Sequence, residues 1–153
     1  QGVRAGFAAV EWPGRLQVLG KEPTTILDGG HNPGAAMILA GAWKELGGAR
    51  GVGLICGMCG DKDIAGFLKP LARSVKRLWA VPLRTARGAD PARILEAAFA
   101  LGIPSETASL AEARQAARRW ALARGGGVCI AGSLFLAGEV LESHRGGTGE
   151  REF

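Results

Sequence analysis

The chain has 153 residues, 47% of them hydrophobic and 22% charged, with a formal net charge of +5. That size suits a single domain with a real core, and no apolar run approaches the roughly 20 residues of a membrane-spanning helix. The cationic balance could favour phosphates, but Lys and Arg are spread over several elements without interleaved aromatics, so no nucleic acid is expected; an anionic small molecule is the better match.

The chain opens on Gln with no signal-peptide pattern, which we read as a fragment. Val3, Phe7 and Val10 fall at helical spacing, so residues 1–11 read as the tail end of a preceding segment. Leu16 to Leu19 and Thr24 to Leu27 read as two strands joined by a turn over Gly20 to Pro23. Asn32 suits an N-cap and Pro33 the first position of a helix, whose Ala35, Leu39, Ala42, Trp43 and Leu46 repeat at 3.6-residue spacing until Gly47–Gly48. Val52 to Cys56 is a strand of the kind buried on both faces. Gly57 to Asp63 is a polar turn, and Ile64 to Val75 is helical with an interruption at Pro70.

Arg77 to Val81 is the next strand, followed by a loop over 82–90. Asp90 and Pro91 start a helix to Leu101, and Ile103 to Ala108 is a weaker strand. Ser109 caps a helix that carries Leu110, Ala113, Ala117, Trp120 and Ala121 on one face and ends at Gly125 to Gly127. Val128 to Ala131 is the last strand, and Gly132–Ser133 leads into a helix through Leu141. Residues 143–153 lack apolar periodicity and are expected to be disordered. The alternation predicts an α/β domain over 12–142, Rossmann-like and three-layered, with a mainly parallel sheet of about six strands and an antiparallel edge.

Three cysteines form no disulfide framework, and the odd count points to a reducing compartment, the cytoplasm. Cys56-x-x-Cys59 has its first Cys at a strand end, whereas redox pairs place it at a helix N-terminus. Zinc would need further ligands that only Cys129, His31 and His144 could supply. The pair is read as incidental, and no metal site is expected.

The densest chemistry lies in Asp28-Gly-Gly-His-Asn-Pro33. A strand ending on an acid, followed by His31, Asn32 and a helix start, puts a carboxylate, an imidazole and an amide at the C-terminal edge of the sheet, where open α/β sheets bind ligands. The competing reading is a capped turn with no ligand. No Gly-x-x-x-x-Gly-Lys-Ser/Thr loop occurs in the chain, and Gly48, Gly51 and Gly53 precede a strand instead of following one, so this sequence supplies only part of any nucleotide site.

Trp12-Pro-Gly-Arg15, Asp28-Gly-Gly-His-Asn-Pro33, Gly57-Met-Cys-Gly-Asp-Lys-Asp63 and Gly132-Ser-Leu-Phe135 occur in the order and spacing of one known domain. In these motifs the chain resembles the C-terminal domain of the folylpolyglutamate synthase/dihydrofolate synthase family, within the Mur ligase superfamily. Gly34 stands where a bulkier residue often follows the Asn-Pro. The resemblance implies an ATP-dependent amide ligase that adds L-glutamate to folates or dihydropteroate through an acyl phosphate. It implies that Arg15 contacts nucleotide phosphates, that Asp28 holds the nucleotide near the ribose, and that His31 and Ser133 place the incoming glutamate, His31 as the catalytic group. Asn32, Asp61, Lys62 and Asp63 would line the same cleft. ATP would bind with Mg2+, whose ligands would come mainly from an N-terminal P-loop domain absent from this sequence. The family resemblance also suggests a monomer that is inactive without that domain. A peptidoglycan Mur-type amino-acid ligase is the nearest alternative, and a non-catalytic binding module is another.

Overall fold

The computed structural model describes residues 14–46 and 50–146. Expectations for the segment before Gly14 (Trp12 included), for the stop at Gly47–Gly48 and for the tail after Gly146 lie outside the described residues. The elements are β1 (Gln17–Lys21), β2 (Thr24–Asp28), α1 (Pro33–Leu46), β3 (Val52–Cys56), α2 (Ile64–Leu68) with a 3₁₀ turn at Lys69–Leu71, β4 (Val75–Ala80), α3 (Pro91–Ala100), β5 (Ser105–Thr107), α4 (Leu110–Arg124), β6 (Gly127–Ala131) and α5 (Leu134–Gly146).

The strands form one six-stranded sheet in the order β1-β2-β6-β3-β4-β5. β1 is antiparallel to β2, and every other pairing is parallel. Every residue of β3 and of β6 is buried, as a parallel strand covered on both faces requires. Strand alternation sorts the core into two layers. Ile26, Leu54 and Leu78 face Leu39, Trp43, Phe67 and Ile94 from α1, α2 and α3. Leu27, Ile55, Trp79 and Ile130 face Ala113, Ala117, Ala121, Leu136 and Val140 from α4 and α5. Each fully buried Leu, Ile or Phe contributes about 1.5–3 kcal/mol relative to exposure.

Caps fix the helix starts. Asp90 accepts the Ala92 N–H at 2.9 Å with Pro91 next to it. Ser109 and Glu112 form a reciprocal capping box, and Gly125 closes α4 in the left-handed conformation. No helix among the described residues is long and apolar enough to cross a membrane.

Several boundaries differ from the sequence expectation. β1 begins at Gln17 because Leu16 takes a positive φ of 45°, and Gly20 lies inside β1, so the turn narrows to Glu22–Pro23. α2 stops at Leu68 and tightens into the 3₁₀ turn, since Pro70 has no N–H to continue α-helical bonding; β4 then starts early, at Val75. β5 is only Ser105–Thr107, a short edge on β4. Finally, order does not end at Glu142. α5 continues to Gly146, where the Ser143 hydroxyl donates to the Val140 carbonyl and accepts from Arg114 on α4 at 2.7 Å.

Helices α1, α2 and α3 cover one face and α4 and α5 the other. β6 lies between β2 and β3, yet its helix leaves to the opposite face from theirs. The direction in which the connecting helices leave therefore switches at β6, and open α/β sheets bind ligands at such a switch point.

Candidate functional site

Ala131 ends β6 between Asp28 of β2 and Cys56 of β3, so the segments leaving these three strands emerge side by side. They meet at Gly132. Its N–H donates to the Gly30 carbonyl at 3.0 Å. Its φ is +118°, and a Cβ there would stand 2.7 Å from the Gly57 carbonyl oxygen and 2.9 Å from Met58 Cγ. Glycine satisfies both the conformation and the close approach.

Asp28 is buried at the exit of β2. Its Oδ2 accepts the Leu16 N–H at 3.0 Å and its Oδ1 accepts the Gly30 N–H at 2.7 Å. The Gly14 carbonyl accepts the Gly29 N–H. Together these bonds fasten residues 14–16 to the β2 exit and bring Arg15, an exposed side chain, to the same edge. Asp28→Ala orphans two backbone donors of a charged acceptor and is expected to cost about 2–4 kcal/mol of stability, with Asp28→Asn costing less because one acceptor oxygen survives. Denaturant unfolding of both variants checks this; equal midpoints to the unsubstituted chain would contradict it.

His31 is half-buried, with Nδ1 3.1 Å from the Gly29 carbonyl oxygen. A carbonyl only accepts, so this bond needs the proton on Nδ1 and leaves Nε2 of the neutral ring as an acceptor. Asn32 is exposed and caps α1, its Oδ1 accepting the Ala35 N–H at 2.8 Å. Ser133 is buried and caps α5, its Oγ accepting the Phe135 N–H at 3.0 Å. That hydroxyl still has a proton to donate.

The 57–63 segment flanks this group. A Cβ on Gly66 would lie 3.0 Å from Pro33 Cγ, so the starts of α1 and α2 abut. Asp63 is committed to capping α2 through the Gly66 N–H at 2.9 Å, and Lys62 sits 3.9 Å from the Asp61 carboxylate. Asp28, His31, Asn32 and Ser133 thus gather at one edge, the backbone bonds of Gly14 and Leu16 bring Arg15 to it, and the Asp-Lys-Asp triplet leads into α2, whose start abuts that of α1.

The 82–90 loop, which the sequence marks only as a connection, proves to be part of the same rim. The Arg87 carbonyl accepts the Gly60 N–H and Ala89 donates to the Met58 carbonyl, both at 2.8 Å, while Cys59 pairs with Gly88. The only hint in the sequence was a pair of arginines, Arg84 and Arg87, in a turn-rich stretch.

Cys56, Cys59 and Cys129 are all free and buried. Burial pushes the Cys56 thiol up to about 12, and Cys129 is raised by burial and then by the charges of Asp28 and Cys56. Such thiols are poor nucleophiles. Among the described residues, no three His, Cys, Asp or Glu side chains are grouped to hold a metal.

The strand order, with helices on both faces of a mainly parallel sheet, defines an α/β domain of the doubly wound class. The Mur ligase, glutamate ligase domain family matches residues 14–134, and the chain belongs to that family. It is 37% identical over 140 residues to the dihydrofolate synthase/folylpolyglutamate synthase of Escherichia coli, covering 92% of this chain and 32% of that protein. Mycobacterium tuberculosis folylpolyglutamate synthase complexed with ADP and AMPPCP superposes with a TM-score of 0.81 at 31% identity, covering 92% of this chain and 34% of that one. A bifunctional folylpolyglutamate synthase/dihydrofolate synthase with Mn, AMPPNP and L-glutamate bound gives 0.72 at 30% identity, with coverages of 94% and 34%. The chain therefore spans about a third of the length of these relatives.

Proposed function

We propose that this chain is the C-terminal domain of a larger ATP-dependent ligase that joins L-glutamate to a folate, to dihydropteroate, or to both, through an acyl phosphate. The observation that carries the reading is the meeting of three strand exits at Gly132, which brings the segments bearing Asp28, His31 and Ser133 to one edge of the sheet. The names of the relatives favour the folate branch over a peptidoglycan ligase.

In this reaction a phosphoryl group passes from ATP to a substrate carboxylate. The amino group of glutamate then attacks the acyl carbon, an amide forms, and phosphate leaves. Negative charge builds in the first step, and the exposed Arg15 offers a guanidinium able to bind phosphate oxygens in pairs. Asp28 fixes the Arg15–Leu16 turn, and each of its oxygens keeps acceptor capacity for a ribose hydroxyl. His31 Nε2 is free to accept a hydrogen bond or a proton from the incoming amine. Ser133 and the first N–H groups of α5 suit a carboxylate of that amino acid. Asn32 and Lys62 line the flank.

Mg2+ and the triphosphate are assigned to a P-loop domain outside this sequence, and the working protein is proposed to be a cytoplasmic monomer containing both domains. The test is ATP-dependent transfer of labelled glutamate to dihydropteroate and to a reduced folate by the full-length protein, with rescue of a bacterium lacking its folate ligase. Transfer and rescue are expected from the full-length protein, and no transfer from the 153-residue chain alone. Ligation of a peptidoglycan precursor without ligation of either pterin acceptor would overturn the reading.

A further inference from the structure

We propose that Leu134, the first residue of α5, is a positioning residue for His31, an inference that rests on the function proposed above. The link between the two is Gly29, whose carbonyl oxygen lies 3.1 Å from His31 Nδ1. A Cβ built on Gly29 would stand 2.5 Å from Leu134 Cδ2 and 3.5 Å from its Cγ, so the end of the leucine lies directly against the glycine. Polar bonds hold the rest of this turn. The Gly29 N–H donates to the Gly14 carbonyl, the Gly30 N–H donates to Asp28, and the Gly30 carbonyl accepts from Gly132. Leu134 adds the apolar contact to that set.

Core packing does not account for this leucine. Leu134 is 54% exposed and belongs to neither apolar layer, whereas Leu136, two positions on, is fully buried. Gly29 has no positive φ, so a side chain there is excluded by Leu134 and not by the backbone conformation. The consequence for His31 is chemical. A neutral imidazole carries one proton, and its hydrogen bonds decide which nitrogen holds it. With the Gly29 carbonyl in place the proton stays on Nδ1, and Nε2 is the acceptor that the proposed reaction needs. At 3.1 Å that bond is toward the long end of the N–H···O range. A small shift of Gly29 therefore weakens it and lets the proton move to Nε2, where the ring cannot take a proton from the amine.

The test uses the full-length protein with Leu134→Ala and Leu134→Met. The tautomer of the neutral His31 ring is read from nitrogen NMR signals in histidine-labelled protein, assigned with His31→Asn. Leu134→Ala is expected to populate the Nε2–H form beside the Nδ1–H form and to lower kcat about tenfold. KM for ATP should stay within about a factor of two, and the melting temperature should fall by only a few degrees. Leu134→Met keeps an apolar chain able to reach Gly29, so its tautomer should be unchanged and its kcat within about threefold of the unsubstituted protein. An unchanged Nδ1–H tautomer in Leu134→Ala overturns the inference, whatever kcat does. The tautomer is read without substrate, so it decides the inference even if the protein joins glutamate to neither pterin acceptor; in that event the ligase reading fails alone. A displaced tautomer with undiminished kcat upholds the positioning of His31 and removes His31 from the proposed chemistry.

Discussion

On the proposed function, His31→Ala in the full-length protein is expected to lower kcat by about 10²–10⁴, the range associated with losing a positioned acid–base group. Stability should change little, because the ring is half-buried and makes a single bond, Nδ1 to the Gly29 carbonyl, worth about 1 kcal/mol. Two replacements separate chemistry from scaffolding. Asn places an N–H near the Nδ1 position and can preserve the turn, but it has no basic nitrogen. If His31 only braces the turn, His31→Asn restores activity; if Nε2 receives the amine proton, His31→Asn stays as slow as His31→Ala. Measuring kcat and kcat/KM at saturating ATP, with thermal unfolding of each variant alongside, decides between the two. Wild-type kcat in both variants would make His31 a structural residue.

The largest effect on stability is expected at Gly132. Alanine there must hold a φ near +118°, a region that side chains rarely occupy, at a cost of about 1–3 kcal/mol. Its Cβ would also stand 2.7 Å from the Gly57 carbonyl oxygen and 3.1 Å from Cys56 Sγ. The first of these is backbone and cannot swing aside, so the β3 exit must move, at a further cost of about 1–3 kcal/mol. Combined, Gly132→Ala should lose about 2–6 kcal/mol, which lowers the melting temperature by on the order of 10 °C in a domain of this size. Gly138→Ala in α5 is the matched control: nothing lies within 4 Å of its Cβ position, and the change should be neutral or stabilising by up to about 1 kcal/mol. Similar melting temperatures for the two variants would refute the close approach at Gly132.

Several helix starts, the one at the candidate site included, were legible in the sequence because their caps are local. Asn32, Asp90 and Ser109 each bond a backbone N–H within three residues, so cap chemistry predicts those helix starts directly. The continuous burial of β3 and β6 shows as unbroken apolar runs for the same reason. What stayed hidden depends on distant partners. Nothing in Leu16 announces a positive φ, because that conformation is held by an acid twelve positions away in Asp28. Likewise, Ser105–Thr107 is short since its extent is set by where β4 offers a partner edge. The role of the 82–90 loop escaped for the same reason: its bonds run to Met58 and Gly60, a relation that no local pattern encodes. Ser143 gave no helix signal because what extends α5 is a bond from α4.

The insertion of β6 between β2 and β3 also governs when the site can exist. During synthesis Asp28 and His31 leave the ribosome early, while the strand that joins their half of the sheet to the other half is the last to emerge. β2 and β3 share no direct pairing; each meets the other only through β6. Before residues 127–131 are released, the nascent chain can form a β1–β2 ribbon and a β3–β4–β5 ribbon, each with an open edge. The joined edge that holds the candidate site therefore forms in one late step and not by degrees. A chain terminated before Gly127 is left with two open-edged half-sheets instead of a weakened domain, so a nonsense or frameshift lesion late in this region is expected to be as damaging as an early one.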